Sequence, residues 1–209
     1  MQMKKNDFKD KGYDLIASVA KAMGNSHRLE LLELLANGPK SVIALAKEAR
    51  ISIANASKHL QKLKQYNLVK TKRNANTINY MLADASVLKL ITALHKTAYS
   101  QITDLKITID EFRKEYGTDK AVVKDEPKED YILLDVRSDV EYNYGHRQGA
   151  INIPHYHIGK SLDRLDKNKL IVAYCRGELC TLADEVVRQL REAGFNAMRL
   201  QDIVIMKSA

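Results

Sequence analysis

The chain has two cysteines, Cys175 and Cys180, and the first stands where a thiol ionises most easily. Leu170-Ile171-Val172-Ala173-Tyr174 is mostly apolar and partly β-branched, which predicts a buried strand. Cys175 closes it, and Arg176, Gly177, Glu178 and Leu179 form a small polar loop around a glycine. From Thr181 onward, Leu182, Val186, Val187 and Leu190 keep the spacing of one helix face. Strand, thiol, loop and helix start, in that order, bring backbone N–H groups and the positive end of a helix toward Cys175. Both favour an anion, and the thiolate is the form of cysteine that does chemistry. Two readings of Cys175 stand: a reactive nucleophile, or a buried structural thiol. Cys180 also has two: a thiol that resolves a modified Cys175 by bridging to it, or a small residue at a helix start.

The elements that must position this loop alternate between strand and helix. Tyr131–Val136 reads as a buried strand, Ser138–Tyr144 as one or two helical turns, Ala150–Ile153 as a strand and Ile158–Leu165 as a helix. After the loop, the helical pattern through Val186–Ala193 ends at Gly194, and Ala197–Leu200 is a last strand. Such alternation predicts an α/β domain with a parallel sheet. Within it lie Leu134-Asp135-Val136-Arg137, Glu141-Tyr142 and Gly145-His146-Arg147-Gln148-Gly149-Ala150-Ile151-Asn152-Ile153-Pro154. With the Cys175 loop, this ordered set resembles a rhodanese domain, from about Tyr131 to about Leu200. The resemblance implies a sulfurtransferase in which Cys175 takes a sulfane sulfur from thiosulfate or a persulfide and hands it to a thiol acceptor, with no cofactor. It also implies that the loop, residues Arg176, Gly177, Glu178, Leu179 and Cys180, holds the persulfide through backbone N–H groups. Arg176 would attract an anionic donor, and Glu178 would oppose a dianion, which favours a persulfide carrier over thiosulfate. Asp135, Arg137 and His146 are expected to frame the loop. The same family's phosphatase relatives have a longer loop ending in Arg; Cys180 and Thr181 stand there instead, which argues against phosphate chemistry. The domain is expected over residues 130–209, shortened at both ends, and the segment from Gln201 to Ala209 departs from the family's ending.

The first half reads differently. Leu15, Ile16, Val19, Ala20 and Met23 recur at helical spacing from Gly12, with residues 1–11 polar and frayed. Ser26–Ala36 is a second helix with Ser26 as its cap, stopped by Asn37-Gly38-Pro39. Ser41 caps a helix over Val42–Ala49, and Ser52 caps another over Ile53–Gln65 with Ala56, Leu60 and Leu63 inward. Two short helices joined by a tight turn, the second basic outside, predict a helix-turn-helix. Leu68–Arg73 and Thr77–Leu82 alternate as two strands around a turn at Asn74-Ala75-Asn76, the pattern of a hairpin wing. His27-Arg28-Leu29, Ser57-Lys58-His59-Leu60 and Asn67-Leu68-Val69, in this order, resemble the ArsR-type winged-helix repressors over about residues 15–100. That resemblance implies a homodimer on a double-stranded DNA operator. Asn55, Ser57, Lys58, His59 and Lys62 would face the major groove, and Lys70, Lys72 and Arg73 of the wing would meet phosphates or the minor groove.

Charge separates the halves. Residues 1–117 hold 20 Lys and Arg against 11 Asp and Glu, whereas residues 118–209 hold 14 against 15, so the net +8 belongs to the first half. A polyanionic partner is expected there only. Val87, Ile91, Leu94, Ala98, Ile102, Leu105, Ile109 and Phe112 keep one apolar stripe, predicting a single helix of about seven turns that pairs with its copy. The domain expectation is therefore 12–113 for the winged helix with dimerisation, and 114–129 for a charged linker. The ArsR-type resemblance implies metal sites built on a Cys-x-Cys pair, missing from Val42–Ala49, or on paired Asp and His of the long helix, where His95 is the one histidine. The rhodanese resemblance already accounts for the two cysteines that His155-Tyr156-His157 would need as fellow ligands, so no metal is expected. No run of 18 apolar residues occurs and the polar start lacks a signal core, which predicts a cytoplasmic protein without membrane contact.

Overall fold

The computed structural model describes residues 5–74, 77–127 and 130–201, and the chain divides into two units, Met1–Ile91 and Thr92–Ala209. In the first unit, α1 (Lys5–Met23) starts well before the expected Gly12. Lys and Asp alternate along its first turns, where three- and four-residue spacing lets opposite charges support a polar helix. At α2 (Ser26–Ala36) the cap is Asn25 rather than Ser26: its side chain accepts from the Arg28 N–H at 3.2 Å. A two-residue strand, β1 (Lys40–Ser41), precedes α3 (Val42–Glu48), and α4 (Ile53–Gln65) follows. Ser41 and Ser52 accept from Ala44 and Asn55 N–H groups as their positions predicted. β2 (Val69–Asn74) and β3 (Thr77–Leu82) pair antiparallel, and β1 adds to the far edge of β3. β1 is too short to show alternation in sequence. Ala75 and Asn76 of the expected turn lie outside the described residues. Leu31, Leu32, Leu35, Leu45, Leu60 and Leu63 fill the core, closed by Val87 and Ile91 of α5 (Ala85–Gln101).

The expected single long helix is two. Ile102 adopts an extended backbone (φ −100°, ψ 103°), and α6 (Thr103–Tyr116) restarts after it. The apolar stripe continues across the break and so hides it. Thr103 and the first-turn Asp104, residue types that favour helix starts, were the visible signal. Gly117, at φ 78°, ends α6, and the Thr118 N–H bonds back to the Arg113 carbonyl at 2.8 Å.

The stretch 114–129, expected as linker, contains the end of α6 and an edge strand, β4 (Val122–Val123). It lies in the same sheet as β5 (Tyr131–Asp135), β6 (Ile151–Asn152), β7 (Leu170–Tyr174) and β8 (Ala197–Leu200), in the order β4-β8-β7-β5-β6 with parallel pairing. Two β-branched residues amid Lys120, Lys124 and Asp125 give too weak a pattern to stand out. The sheet thus begins at β4, ahead of the expected start at residue 130; residues 202–209 at the rear lie outside the described residues. Between β5 and β6, α7 (Asp139–Tyr144) is held by a capping box of Ser138 and Glu141. His155–Lys160 and Leu162–Arg164 are 3-10 helices rather than one α-helix, consistent with Gly159 and Ser161 in the run. α8 (Leu182–Glu192) follows the loop. Both sheet faces are covered: Ile171, Ala173 and Cys175 join Ala183, Val186, Val187 and Leu190 of α8 in one cluster. Val172 and Tyr174 join Leu133, Ala150 and Leu200 in the other.

Candidate functional site

Strand parity places the thiol. Cys175 continues the Ile171–Ala173 side of β7, toward α8, and is only 2% exposed. Its Sγ lies 3.3 Å from the Cys180 carbonyl oxygen and 3.9 Å from that of Gly177, both acceptors for the thiol. The Ala183 and Gly177 N–H groups and the Cys180 thiol point the other way, as donors to the sulfur. Burial pushes the Cys175 thiol up. The Cys180 hydrogen bond, the Arg199 guanidinium and the two N–H groups outweigh it and lower its pKa to about 6. Cys180 shifts strongly upward, first because it gives its hydrogen bond to Cys175 and second because it is desolvated, so it remains a thiol. The groups that favour the anion are the Cys180 thiol, the Arg199 guanidinium and the N–H groups of Ala183 and Gly177. Gly177 has φ 154°, a conformation side chains rarely adopt.

The charged residues of the loop do not face an incoming donor. Glu178 is 7% exposed and sits between two arginines: Arg113 Nη2 donates to Oε2 at 2.7 Å, and Arg199 Nη1 to Oε1 at 3.3 Å. Both arginines also reach Asp184 of α8, Arg199 Nε at 3.0 Å and Arg113 Nε at 3.6 Å. The Thr118 hydroxyl donates to Asp184 at 2.9 Å. Arg199 Nη2 further donates to the Gly177 and Cys180 carbonyls at 2.7 and 3.4 Å, which are the carbonyls that face Sγ. Arg176 is engaged as well, its Nε and Nη2 bonding both oxygens of the buried Glu141 at 2.7 and 3.0 Å. The expectation that Arg176 attracts and Glu178 repels the donor is therefore corrected. Glu178 is ion-paired within the fold to Arg113 and Arg199, and the preference for a persulfide carrier loses its electrostatic basis. Leu179, 56% exposed, stands at the loop surface.

Arg113, Asp184 and Arg199 went unnoticed in the sequence. Their signal was polarity at core positions: Arg199 within Ala197-Met198-Arg199-Leu200, and Asp184 beside Ala183 and Val186. Asp135 and Arg137 pair with each other and tie the end of β5 to Gly145 and to Asn152 of β6, rather than touching residues 176–180. Arg137 Nε donates to Asp135 at 3.0 Å and its Nη2 to the Gly145 carbonyl at 2.9 Å, while Asn152 bonds the Asp135 and Arg137 carbonyls. His146 stacks on Tyr142 at 3.8 Å between ring centroids.

In the first unit, α4 buries Ala56, Leu60 and Leu63 and presents Lys58 and Lys62 to solvent. Ala54 and Gln61 share that exposed face and were not foreseen. Asn55, Ser57 and His59 lie half-buried on its flanks. His59 sits 5.6 Å from His27, and desolvation, then Arg28, His27 and Lys58, keep its pKa below the ordinary histidine value. Lys70, Lys72 and Arg73 are exposed on β2, with Lys70 Nζ donating to the Ala83 carbonyl at 2.6 Å. Among the described residues, no group of three His, Cys, Asp or Glu is arranged to hold a metal ion, and no helix is long and apolar enough to cross a membrane.

Comparison with known proteins agrees with both halves. The Helix-turn-helix domain family matches residues 23–72, and the Rhodanese-like domain family matches residues 108–203. The HTH-type transcriptional regulator Rv0324 of Mycobacterium tuberculosis is 34% identical over 192 residues, covering 90% of this chain and 85% of that protein. Nodulation protein NolR of Rhizobium meliloti is 38% identical over 91 residues, 44% of this chain and 74% of that protein. Among solved structures, a homodimeric winged helix-turn-helix DNA-binding domain, Mb0332 of Mycobacterium bovis, described as a possible ArsR-family regulator, aligns with TM-score 0.46 at 32% identity. That alignment covers 50% of this chain and 95% of that one. An N-terminal winged helix-turn-helix and a C-terminal parallel sheet carrying the Cys175 loop, matched together along nine-tenths of the chain by one relative, place this protein in the family of HTH-type transcriptional regulators, with a helix-turn-helix domain followed by a rhodanese-like domain.

Proposed function

We propose that the protein is a dimeric repressor whose rhodanese-like domain takes up sulfane sulfur on Cys175 and thereby changes operator affinity. The observation that carries this reading is a buried cysteine at a strand end whose thiolate is favoured at neutral pH by Cys180, Arg199 and two backbone N–H groups. The Cys175 thiolate attacks the outer sulfur of thiosulfate or of a persulfide. A new S–S bond forms, sulfite or a thiolate leaves, and Cys175 keeps the transferred sulfur as a persulfide anion. Handing that sulfur to an acceptor thiol regenerates the thiolate, and continuous turnover would make the domain a sulfurtransferase in its own right.

On the DNA side, Lys58 and Lys62 of α4 enter the major groove, with Asn55, Ser57 and His59 at its flanks, and Lys70, Lys72 and Arg73 meet the backbone. A twofold operator calls for two copies. Leu15 and Ile16 of α1 and Leu90 and Leu94 of α5, exposed in the single chain, are the apolar surface that dimerisation would cover. A regulatory response needs only about 1–3 kcal/mol of coupling. The test is an operator titration with and without a sulfane donor, for wild type and Cys175→Ser. The donor should shift wild-type affinity about 5- to 150-fold and leave Cys175→Ser unmoved. Equal affinity for loaded and unloaded wild type would reduce the domain to a tethered enzyme.

A further inference from the structure

Charge is packed beneath the Cys175 loop in a way that sulfur transfer alone does not require. We propose that Arg113 and Arg199 are positioning residues of this loop, and that through Arg113 a sulfur added to Cys175 is registered by α6. The inference rests on the sulfur uptake proposed above and assigns it a route.

The route begins with space. Cys175 is 2% exposed, and its Sγ already lies 3.3 Å from the Cys180 carbonyl and 3.9 Å from the Gly177 carbonyl. A second sulfur, bonded about 2 Å from the first, fits beside the Cys180 thiol and these carbonyls only if the loop shifts. The same two carbonyls are held from behind by Arg199 Nη2. Arg199 shares Glu178 and Asp184 with Arg113, and Glu178, itself a loop residue, meets Arg113 at 2.7 Å. All four side chains are less than one-tenth exposed, so water is not at hand to replace a lost partner. A shifted loop therefore either carries Arg113 with it or leaves buried charges unpaired.

Arg113 lies one turn from the end of α6, and that end is tied in once more, through Thr118. The Arg113 carbonyl accepts from the Thr118 N–H at 2.8 Å, and the Thr118 hydroxyl donates to Asp184 at 2.9 Å. At its other end α6 starts at the extended Ile102, immediately after α5, the helix whose Val87 and Ile91 belong to the winged-helix core.

The experiment uses the full-length protein, with inorganic polysulfide as probe. Mass spectrometry reads sulfur on Cys175, and hydrogen–deuterium exchange reads the amides of residues 109–118. Wild type should gain sulfur and change exchange at the end of α6 by at least about threefold, with no change in Cys175→Ser. Arg113→Lys keeps the charge but replaces the planar guanidinium with a shorter, rotatable ammonium that does not hold Glu178 in a fixed position against α6; it should still gain sulfur and lose the α6 response. Arg199→Met, which removes the charge but keeps an apolar stem, should raise the pH midpoint of Cys175 alkylation by about one unit, whereas Arg199→Lys, which keeps the charge, should leave it near the wild-type value. Equal midpoints in the two variants would mean a packing role. Sulfur on Cys175 with unchanged α6 exchange overturns this inference and leaves the proposed function standing. Absence of sulfur on Cys175 overturns both.

Discussion

α4 and the Cys175 loop use the same cationic chemistry in opposite ways. On α4 and β2 the cations are mostly lysines, Lys58, Lys62, Lys70 and Lys72, exposed on the surface. Around the loop they are arginines, Arg113, Arg137 and Arg199, all buried and each matched to a carboxylate. A lysine ammonium on a flexible stem suits a partner that arrives from solution, such as a phosphate backbone. A planar guanidinium with several fixed donors can bond one carboxylate and two loop carbonyls while its charge faces a second carboxylate, as Arg199 does with Glu178, Gly177, Cys180 and Asp184. Exposed cations tell what the protein meets; buried ones tell what it holds still.

The sharpest way to break that contrast is to remove one buried partner. Glu178→Ala leaves two buried arginines to share Asp184 alone and should cost the C-terminal unit about 3–5 kcal/mol, seen as an earlier transition in chemical denaturation. A cost below about 1 kcal/mol would make Glu178 an ordinary surface charge and erase the distinction.

The next effect is on reactivity. Cys175 alkylation should be half-maximal near pH 6, far below the ordinary thiol range of about 8.5. Because the folded value is the lower one, the thiolate adds stability that is complete above the unfolded thiol's pKa. It declines as pH falls and is gone below about 6. Cys175→Ser should lack that slope in stability between pH 6 and the unfolded thiol's range; an identical slope in both proteins would remove Cys175 from the charged cluster.

The smallest effect on stability belongs to the surface. Lys58→Ala should leave unfolding within about 0.5 kcal/mol while weakening DNA binding and reducing the salt slope by about one ion. A marked loss of stability instead would mean that Lys58 is structural after all.

Local pattern made much of this legible. Ser41 and Ser52 announce their helices because a side-chain oxygen serves an N–H three residues on, and Leu170–Tyr174, Thr77–Leu82 and Ala197–Leu200 carry enough apolar residues to mark their own bounds. β4 did not, since two residues between charged neighbours carry almost no periodic signal. The break at Ile102 was masked because spacing continued through it. Residue type alone foresaw Arg176 and Glu178 as groups meeting the donor, when the fold had already spent both on Glu141, Arg113 and Arg199.

By itself, then, the chain's sequence determined the succession of helices and strands, the position of the thiol at a strand end and the uneven charge, because each depends on neighbours a few residues away. Tertiary structure alone decided which charges are satisfied. Arg113 and Glu178 are 65 positions apart, yet meet at 2.7 Å. Whether a charge is buried and paired or exposed and available depends on what folds against it from elsewhere in the chain, and that sets both the acidity of Cys175 and the direction in which Glu178 faces.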